Sequence, residues 1–297
     1  MERKVGLVLE GGGFRGVFTE GILECLLEEE IYLPYVIGVS MGAINGGNYI
    51  SRQKKRNYDI MMTYLDDHRY VSMKNMITKG SLFGMDFLFK DVAYELNPFD
   101  FETFHKSDQE LVIGAMSCHS GLTDYFYKSK LDDPGLLLAL RASSSLPFLS
   151  QKVSIKGVQY LDGGVSDSIP VRQALADGCD KVIVILTRHQ GYERKPFTYE
   201  KIGNMMYRAH PAVVQAMKRR HIYYKETTEY LEKLEKEGVA LVIRPPKPIL
   251  LERAEKDREK IRATYLMGYH YGKEVMDQIK SFTGDLVSNT IASQHRP

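Results

Sequence analysis

The chain has three cysteines, little net charge and no long apolar segment, and each of these shortages excludes a class of protein. The cysteines are odd in number, widely spaced and set among apolar residues, which indicates reduced core thiols rather than a disulfide framework. A formal charge of +2 over 297 residues argues against nucleic-acid binding. No apolar run reaches the roughly 20 residues that cross a bilayer, and none at the start suits a signal-peptide core. We therefore expect a cytoplasmic protein.

Metal ligands are equally sparse. Cys118 and His119 are adjacent, but no second cluster of ligands accompanies them, so the sequence predicts neither a metal site nor a cofactor. Two basic segments, residues 52–56 and 218–220, are expected to be solvated helix faces. The alternative is that they dock on anionic lipid headgroups, and the protein would then contact a membrane peripherally.

Short apolar runs separated by helical patterns predict the fold class. The runs lie at residues 5–9, 35–37, 111–116, 125–127, 153–160, 182–186 and 239–243. Such alternation is typical of an α/β fold with a mostly parallel central sheet, helices on both faces and a ligand site at the carboxyl ends of the strands. We expect residues 1–175 to form the core with a helical insertion at about 57–106, and residues 176–297 to add strands and a helical C-terminal extension to the same domain.

The segment at residues 38–42 has the Gly-x-Ser-x-Gly spacing of a nucleophile elbow. A serine at a sharp strand-to-helix turn needs neighbours without a Cβ atom, and Gly38 and Gly42 meet that need. The turn would expose the Ser40 hydroxyl at a helix N-terminus, where unpaired N–H groups favour negative charge. The motif therefore predicts a serine nucleophile for acyl transfer.

A second strand–glycine–helix unit precedes the elbow. Its loop consists of Gly11, Gly12, Gly13, Phe14, Arg15 and Gly16. Successive glycines let backbone N–H groups converge, which is the arrangement of an oxyanion hole. The same loop satisfies Gly-x-Gly-x-x-Gly, the dinucleotide-binding fingerprint, and this alternative stays open. A Rossmann site, however, needs an acidic residue at the end of the second strand, and here that strand ends in the serine elbow.

A serine nucleophile needs a base, for which Asp162 is the leading candidate. It follows the strand-like stretch at 153–160, and Gly163 and Gly164 permit close approach of another backbone segment. The same Asp-Gly-Gly sequence is also typical of a hairpin turn. His189, which follows the apolar run at 182–186, is a reserve candidate for a Ser–His–Asp arrangement. The other histidines after Asp162 are expected to be solvated or packed side chains.

In their order and rough spacing, the glycine loop, the elbow and the Asp-Gly-Gly motif resemble the three signature blocks of the patatin-like phospholipases. Residues 141–148 are similar to the small-residue segment that precedes the aspartate in that family. Ser145 stands where relatives often have alanine, a departure that could alter the acyl pocket. The resemblance covers about residues 5–171, more than half of the chain.

The resemblance implies a catalytic dyad of Ser40 and Asp162 without a histidine, and an oxyanion hole formed by the N–H groups of residues 11–15. Enzymes of this family hydrolyse fatty-acyl esters of phospholipids or related lipids without calcium. We therefore expect a lipid acyl hydrolase that works through an acyl-serine intermediate. The alternative is a Rossmann-type nucleotide-binding protein or oxidoreductase that uses the glycine loop.

The predicted insertion at 57–106 is rich in methionine, tyrosine and phenylalanine. Flexible and large apolar side chains suit an adaptable acyl-chain groove or lid, and a helical cap packed permanently on the sheet is the alternative. Towards the C-terminus, charged patterns predict a helix over 225–237, capped by Gly238, and another over 251–282.

Overall fold

Short runs of β-branched and aliphatic residues form the strands of one mixed sheet in this computed structural model, which describes residues 4–252 and 255–284. The strands are β1 (Val5–Leu9), β2 (Tyr35–Val39), β3 (Glu110–Ser117), β4 (Thr123–Tyr127), β5 (Val153–Ile155), β6 (Val158–Asp162), β7 (Lys181–Ile185) and β8 (Ala240–Ile243). Leu7 and Leu9 pack into one core cluster and Val8 into another. Burial on both faces explains why β1 is apolar along its whole length.

The sheet is mostly parallel. Its strand order is β5-β6-β3-β2-β1-β7-β8, and β4 pairs with β3 off this path. Strands β3, β2, β1, β7 and β8 run parallel to one another. Strands β4 and β6 run antiparallel to β3, and β5 is antiparallel to β6. The predicted α/β fold is therefore confirmed.

Strand β3 has three neighbours on two edges. Strand β2 pairs with residues 110–114 of β3, β6 pairs with residues 115–117, and β4 pairs with residues 112–116. Because β4 overlaps both of the other pairings, it must occupy one edge of β3 alone, and β2 and β6 must share the other edge. The carboxyl ends of β2 and β6 therefore meet end to end beside β3.

The stretch predicted as one strand over 153–160 is a hairpin. Strands β5 and β6 are joined by Lys156 and Gly157, whose φ angles are +49° and +83°. Two successive positive φ angles are typical of the tight turn that matches the twist of antiparallel strands. The prediction missed this turn because a lysine precedes the glycine, where asparagine or aspartate is the usual signal.

Helices cover both faces of the sheet. They are α1 (Gly16–Glu28), α2 (Met41–Ile50), α3 (Arg56–Tyr64), α4 (Met73–Lys79), α5 (Phe101–Lys106), α6 (Asp133–Ser143), α7 (Val171–Ala176), α8 (Glu200–Met206), α9 (Pro211–Lys236), α10 (Arg258–Glu274) and α11 (Met276–Thr283). Residues of α1, α2, α6 and α10 belong to the core cluster on one face, and residues of α7 and α9 belong to the cluster on the other.

The predicted insertion and C-terminal extension are both helical. The insertion contains α3, α4, α5 and a π-helix over Phe87–Leu96. Helix α9 begins at Pro211, whereas the charged pattern predicted a start at residue 225. Proline is favoured in the first turn of a helix, which explains why the helix begins at Pro211. Gly238 follows α9 with a φ of +69°, a conformation that suits a glycine after a helix. The region predicted as one helix over 251–282 contains two, α10 and α11.

The structure shows the state of the cysteines and the length and polarity of the helices, on which the composition gave predictions. Cys25, Cys118 and Cys179 are free and buried, as predicted. Within residues 4–252 and 255–284, no helix combines the length and the low polarity that crossing a bilayer requires.

Candidate active site

The elbow serine lies between β2 and α2 in a strained backbone conformation. Ser40 has a φ of +56° and a ψ of −128°, a region that residues with a Cβ atom rarely adopt. A Cβ atom at Gly38 would lie 2.6 Å from the Ala43 nitrogen, and one at Gly42 would collide with the carbonyl oxygen of Leu9. The turn therefore leaves no room for a side chain at either glycine.

Ser143 anchors the backbone of the elbow. The Ser40 N–H group donates to Ser143 Oγ at 2.7 Å, and that hydroxyl donates to the Gly114 carbonyl oxygen on β3, also at 2.7 Å. Each of these groups is buried. The last residue of α6 thus ties the strained turn to the centre of the sheet.

Asp162 is the last residue of β6 and is 2% exposed. It pairs with Ala115 on the same edge of β3 on which Val39, the residue before Ser40, pairs with Gly114. A Cβ atom at Gly163 would collide with the Gly114 carbonyl oxygen and would lie 2.9 Å from Val39 Cγ1. The aspartate and the elbow therefore leave the sheet at the same point.

Hydrogen bonds fix the orientation of the Asp162 carboxylate. Its Oδ1 atom accepts from the Gly164 N–H group at 2.8 Å. Its own N–H group donates to the carbonyl oxygen of Ser145 at 2.7 Å. Ser145 follows α6 two residues after Ser143, so one short segment holds the backbones of both Ser40 and Asp162.

The glycine loop lies directly against the elbow. A Cβ atom at Gly11 would be 3.3 Å from Ser40 Cβ. Three of the loop's N–H groups donate within the protein: Gly11 to the Ser168 carbonyl oxygen and Arg15 to that of Gly12, each at 3.3 Å, and Gly16 to that of Gly13. Gly13 has a φ of +55°, which favours glycine at that position. The N–H groups between Gly11 and Arg15 belong to Gly12, Gly13 and Phe14.

A buried glutamate supports this loop from behind. Glu10 is 1% exposed and accepts from the N–H group of Thr187 at 2.6 Å, from the Thr187 hydroxyl at 3.1 Å and from the Tyr224 hydroxyl at 3.0 Å. Burial and the charge of Glu10 raise the pKa of Tyr224 well above its ordinary value, so the phenol remains a donor. Helix α9 is thereby connected to the residue that precedes the glycine loop.

The comparisons with known proteins identify the family of this chain. Residues 7–175, more than half of the chain, match the family model described as patatin-like phospholipase. The chain belongs to the patatin-like phospholipase family. The resemblance of the three motifs is therefore confirmed. Residues 210–284 match a second model, described as a domain of unknown function, DUF6363.

The chain is similar to three known proteins. The uncharacterized protein YjjU of Escherichia coli (strain K12) is 27% identical over 83% of this chain and 70% of its own length. Lysophospholipase nte1 of Aspergillus terreus is 27% identical over 94% of this chain and 18% of its own length. The chain thus spans less than a fifth of that fungal relative. The crystal structure of VipD from Legionella pneumophila is 14% identical, with a TM-score of 0.46, and covers 94% of this chain and 67% of VipD.

In this patatin-like chain, a large cavity lies beside the Asp-Gly-Gly motif. It measures about 740 Å³, within the range of small-molecule sites. Val165, which follows the motif, and Arg220 on α9 both line it. The other walls are largely apolar and include residues 146–149 and 196–197 together with Ile202, Met206 and Met217. By contrast, the cavity lined by the insertion measures only about 70 Å³. The larger apolar space is therefore the 740 Å³ cavity beside the Asp-Gly-Gly motif.

The reserve histidine contacts the segment that follows β7. His189 follows β7, and its Nδ1 atom lies 2.6 Å from the carbonyl oxygen of Gln190. The Ser145 hydroxyl donates to the Arg141 carbonyl oxygen in the last turn of α6 at 2.8 Å. Ser145 is not among the residues that line the large cavity. In the described ranges, no group of three or more metal-ligating side chains lies together.

Sequence reasoning missed Ser143, Glu10, Thr187 and Tyr224 as supports of the site. Ser143 is inside the segment that resembles the family, but two more serines follow it directly, and nothing in the sequence distinguishes the three. A glutamate directly after a buried strand is an unusual placement, and it is the one signal that could have identified Glu10.

Proposed function

We propose that this chain is a serine lipid acyl hydrolase that cleaves fatty-acyl esters of phospholipids or lysophospholipids, with Ser40 as nucleophile and Asp162 as proton acceptor. The observation that carries the proposal is the meeting of β2 and β6 end to end beside β3, which brings the elbow and the aspartate to one point. The glycine loop against Ser40 supplies N–H groups at the same place.

The reaction would proceed in two stages. Asp162 accepts the hydroxyl proton as Ser40 Oγ attacks the ester carbonyl carbon. Negative charge develops on the former carbonyl oxygen, and the N–H groups of Gly12, Gly13 and Phe14 are the donors we assign to it. Collapse of this intermediate releases the alcohol with the proton and leaves an acyl-serine. A water molecule then attacks the acyl carbonyl carbon and loses a proton to Asp162. Collapse of this second intermediate breaks the ester bond to Ser40, releases the fatty acid and returns the proton from Asp162 to Ser40 Oγ.

Family membership and the relatives named lysophospholipase support a lipid hydrolase. The 740 Å³ cavity with mainly apolar walls is large enough for an acyl chain, and its position beside the Asp-Gly-Gly motif supports that use. We place the enzyme in the cytoplasm, where it would take lipid from micelles or from a membrane surface.

Two substitutions test the dyad. We expect Ser40→Ala to abolish both ester hydrolysis and labelling by a fluorophosphonate probe, because the attacking oxygen is removed. Asp162→Asn should reduce kcat at least about a thousandfold, since an amide cannot accept the proton. Hydrolysis of a p-nitrophenyl fatty-acyl ester and circular dichroism would measure activity and folding.

His189→Ala is the matched control and should change kcat less than about twofold, because a dyad needs no histidine. A loss comparable to that of Asp162→Asn would contradict the dyad. Thermal stabilisation by a dinucleotide in a protein without esterase activity would instead favour the nucleotide-binding alternative.

A further inference from the structure

Three arginines that interact electrostatically lie in or near the glycine loop. Arg15 lies in the short turn that ends the loop, and Arg188 and Arg194 lie in the segment after β7. Arg188 and Arg194 line a cleft of about 440 Å³. Arg194 and Arg220 also line the 740 Å³ cavity, so the two spaces adjoin at Arg194.

Aromatic rings hold two of these arginines in place. The Arg188 guanidinium lies 4.1 Å from the centre of the Tyr192 ring, and the Arg194 guanidinium lies 4.6 Å from that of Tyr224. The two rings pack edge to face with their centres 5.7 Å apart. The Tyr224 hydroxyl is itself fixed by its hydrogen bond to Glu10. Stacked guanidinium groups of this kind are oriented before any ligand arrives.

The cluster has more positive charge than nearby groups neutralise. Among the described residues, the Nε atoms of Arg15, Arg188 and Arg194 are buried without a hydrogen-bond partner. Burial and the charge of Arg188 lower the pKa of Arg15 to about 10, and Glu10 offsets only part of this effect. Buried charges are normally paired, so an unneutralised group of guanidiniums favours an anionic ligand.

The acidic residues that line the 440 Å³ cleft do not neutralise this excess positive charge. Glu193, Glu229 and Glu232 also line the 440 Å³ cleft. Glu229 forms an ion pair with Lys225 at 3.8 Å. In the part of the chain that the structure describes, no ion pair joins these three glutamates to Arg188 or Arg194.

We propose that Arg188 and Arg194, together with Arg15, bind the phosphate group of the substrate's headgroup. Two guanidinium groups can hold the oxygens of a phosphate ester through paired hydrogen bonds. The cluster adjoins the loop whose Gly11 lies against Ser40, so a bound phosphate would keep the neighbouring acyl ester close to the nucleophile. This inference rests on the proposed hydrolase and specifies its substrates as glycerophospholipids rather than neutral glycerides.

The first experiment compares two substrates with the same acyl chain, a lysophosphatidylcholine and a monoacylglycerol, in the same mixed micelles. We expect Arg188→Gln and Arg194→Gln to lower kcat/KM for the phospholipid at least about tenfold, chiefly through KM, as loss of a charge-assisted hydrogen bond would. Activity on the monoacylglycerol should stay within about threefold. Arg188→Lys, which keeps the charge, should recover part of the loss.

Arg262→Gln is the matched control, because Arg262 is an exposed arginine on α10. It should leave both substrates unaffected. Equal losses on both substrates for Arg188→Gln and Arg194→Gln, or no loss on either, would overturn the phosphate site and leave the proposed hydrolase intact.

A binding experiment separates this inference from the catalytic proposal. The Ser40→Ala protein would be titrated with glycerophosphocholine and with inorganic phosphate, and binding would be measured by calorimetry. Tighter binding of glycerophosphocholine, weakened by Arg188→Gln, would identify the headgroup as the ligand. Equal or tighter binding of inorganic phosphate, weakened in the same way, would retain the anion site but assign it to free phosphate. Binding of neither, or binding insensitive to Arg188→Gln, would overturn the site even if the hydrolase proposal holds.

Discussion

At the scale of single residues, the site depends on side chains that hold the backbone as well as on those proposed to react. Ser40 has a positive φ, and a conformation of this kind costs on the order of 1–3 kcal/mol, so it persists only where its surroundings enforce it. The hydroxyl of Ser143 enforces it by accepting from the Ser40 N–H group and donating to β3. Ser143 is thus a positioning residue for the proposed nucleophile.

We expect Ser143→Ala to lower the free energy of unfolding by about 1–3 kcal/mol, because the buried Ser40 N–H group and the Gly114 carbonyl would each lose a partner. A small shift of Ser40 should also reduce kcat about tenfold or more. Denaturant unfolding and ester hydrolysis would measure the two effects.

Ser145→Ala is the matched control, since the Ser145 hydroxyl donates to the Arg141 carbonyl oxygen in the last turn of α6. It should change both quantities little. If the two variants behaved alike, Ser143 would have no special part in holding the elbow.

The residues that we propose to react have a signal in the sequence because their local geometry requires particular neighbours. Gly38 and Gly42 are required by the elbow itself, and these glycines mark Ser40. The supports could not be predicted in this way. The bond from Ser143 to Ser40 spans 103 positions, and that from Tyr224 to Glu10 spans 214. Contacts so distant depend on how the sheet assembles, which no local pattern encodes.

At the scale of elements, prediction succeeded where burial sets the pattern. The strands of the parallel region are buried on both faces and appear as apolar runs, so their positions were predicted to within a few residues. The direction of β6 was not predictable. We expected Asp162 at the carboxyl end of a strand in a largely parallel sheet, but β6 runs antiparallel to β3 and reaches the elbow from the opposite side.

The junction between α1 and α3 contains a buried acid that should make stability depend on pH. Glu20 on α1 accepts from the N–H groups of Asn57 and Tyr58 at 2.7 and 2.8 Å. Burial raises the pKa of Glu20 from 4.5 to about 8. Between pH 4.5 and about pH 8, the Glu20 carboxyl is ionised in the unfolded chain but protonated in the folded protein. The free energy of unfolding therefore decreases as the pH rises through this range.

We therefore expect the melting temperature of the protein to fall between about pH 5 and pH 8, and to fall less steeply in Glu20→Gln, which cannot ionise. Glu95→Gln, at an exposed position of the insertion, is the control and should leave the slope unchanged. The measurement is thermal unfolding across that pH range. Parallel curves for the protein and Glu20→Gln would show that Glu20 does not titrate there.

At the scale of the whole molecule, the C-terminal region is packed into the same body as the family-matched core. Strands β7 and β8 extend the sheet, and helix α10 lies directly on α1. The two helices approach closely because glycines face each other's backbone. A Cβ atom at Gly21 on α1 would lie 2.5 Å from the Tyr265 carbonyl oxygen, and one at Gly268 on α10 would collide with that of Phe18. The region matched by the second family model therefore supports the helix that follows the glycine loop.

This close approach predicts opposite effects for the same substitution in two helices. Gly268→Ala should lower the free energy of unfolding by about 1–3 kcal/mol, because its methyl group would meet backbone that cannot move aside without separating α1 from α10. Gly203→Ala on α8 should be neutral or stabilising by up to about 1 kcal/mol, since a Cβ atom there is 3.5 Å from its nearest neighbours and alanine favours a helix. Urea unfolding of both variants tests this, and equal stability changes would show that α10 can shift on α1 without cost.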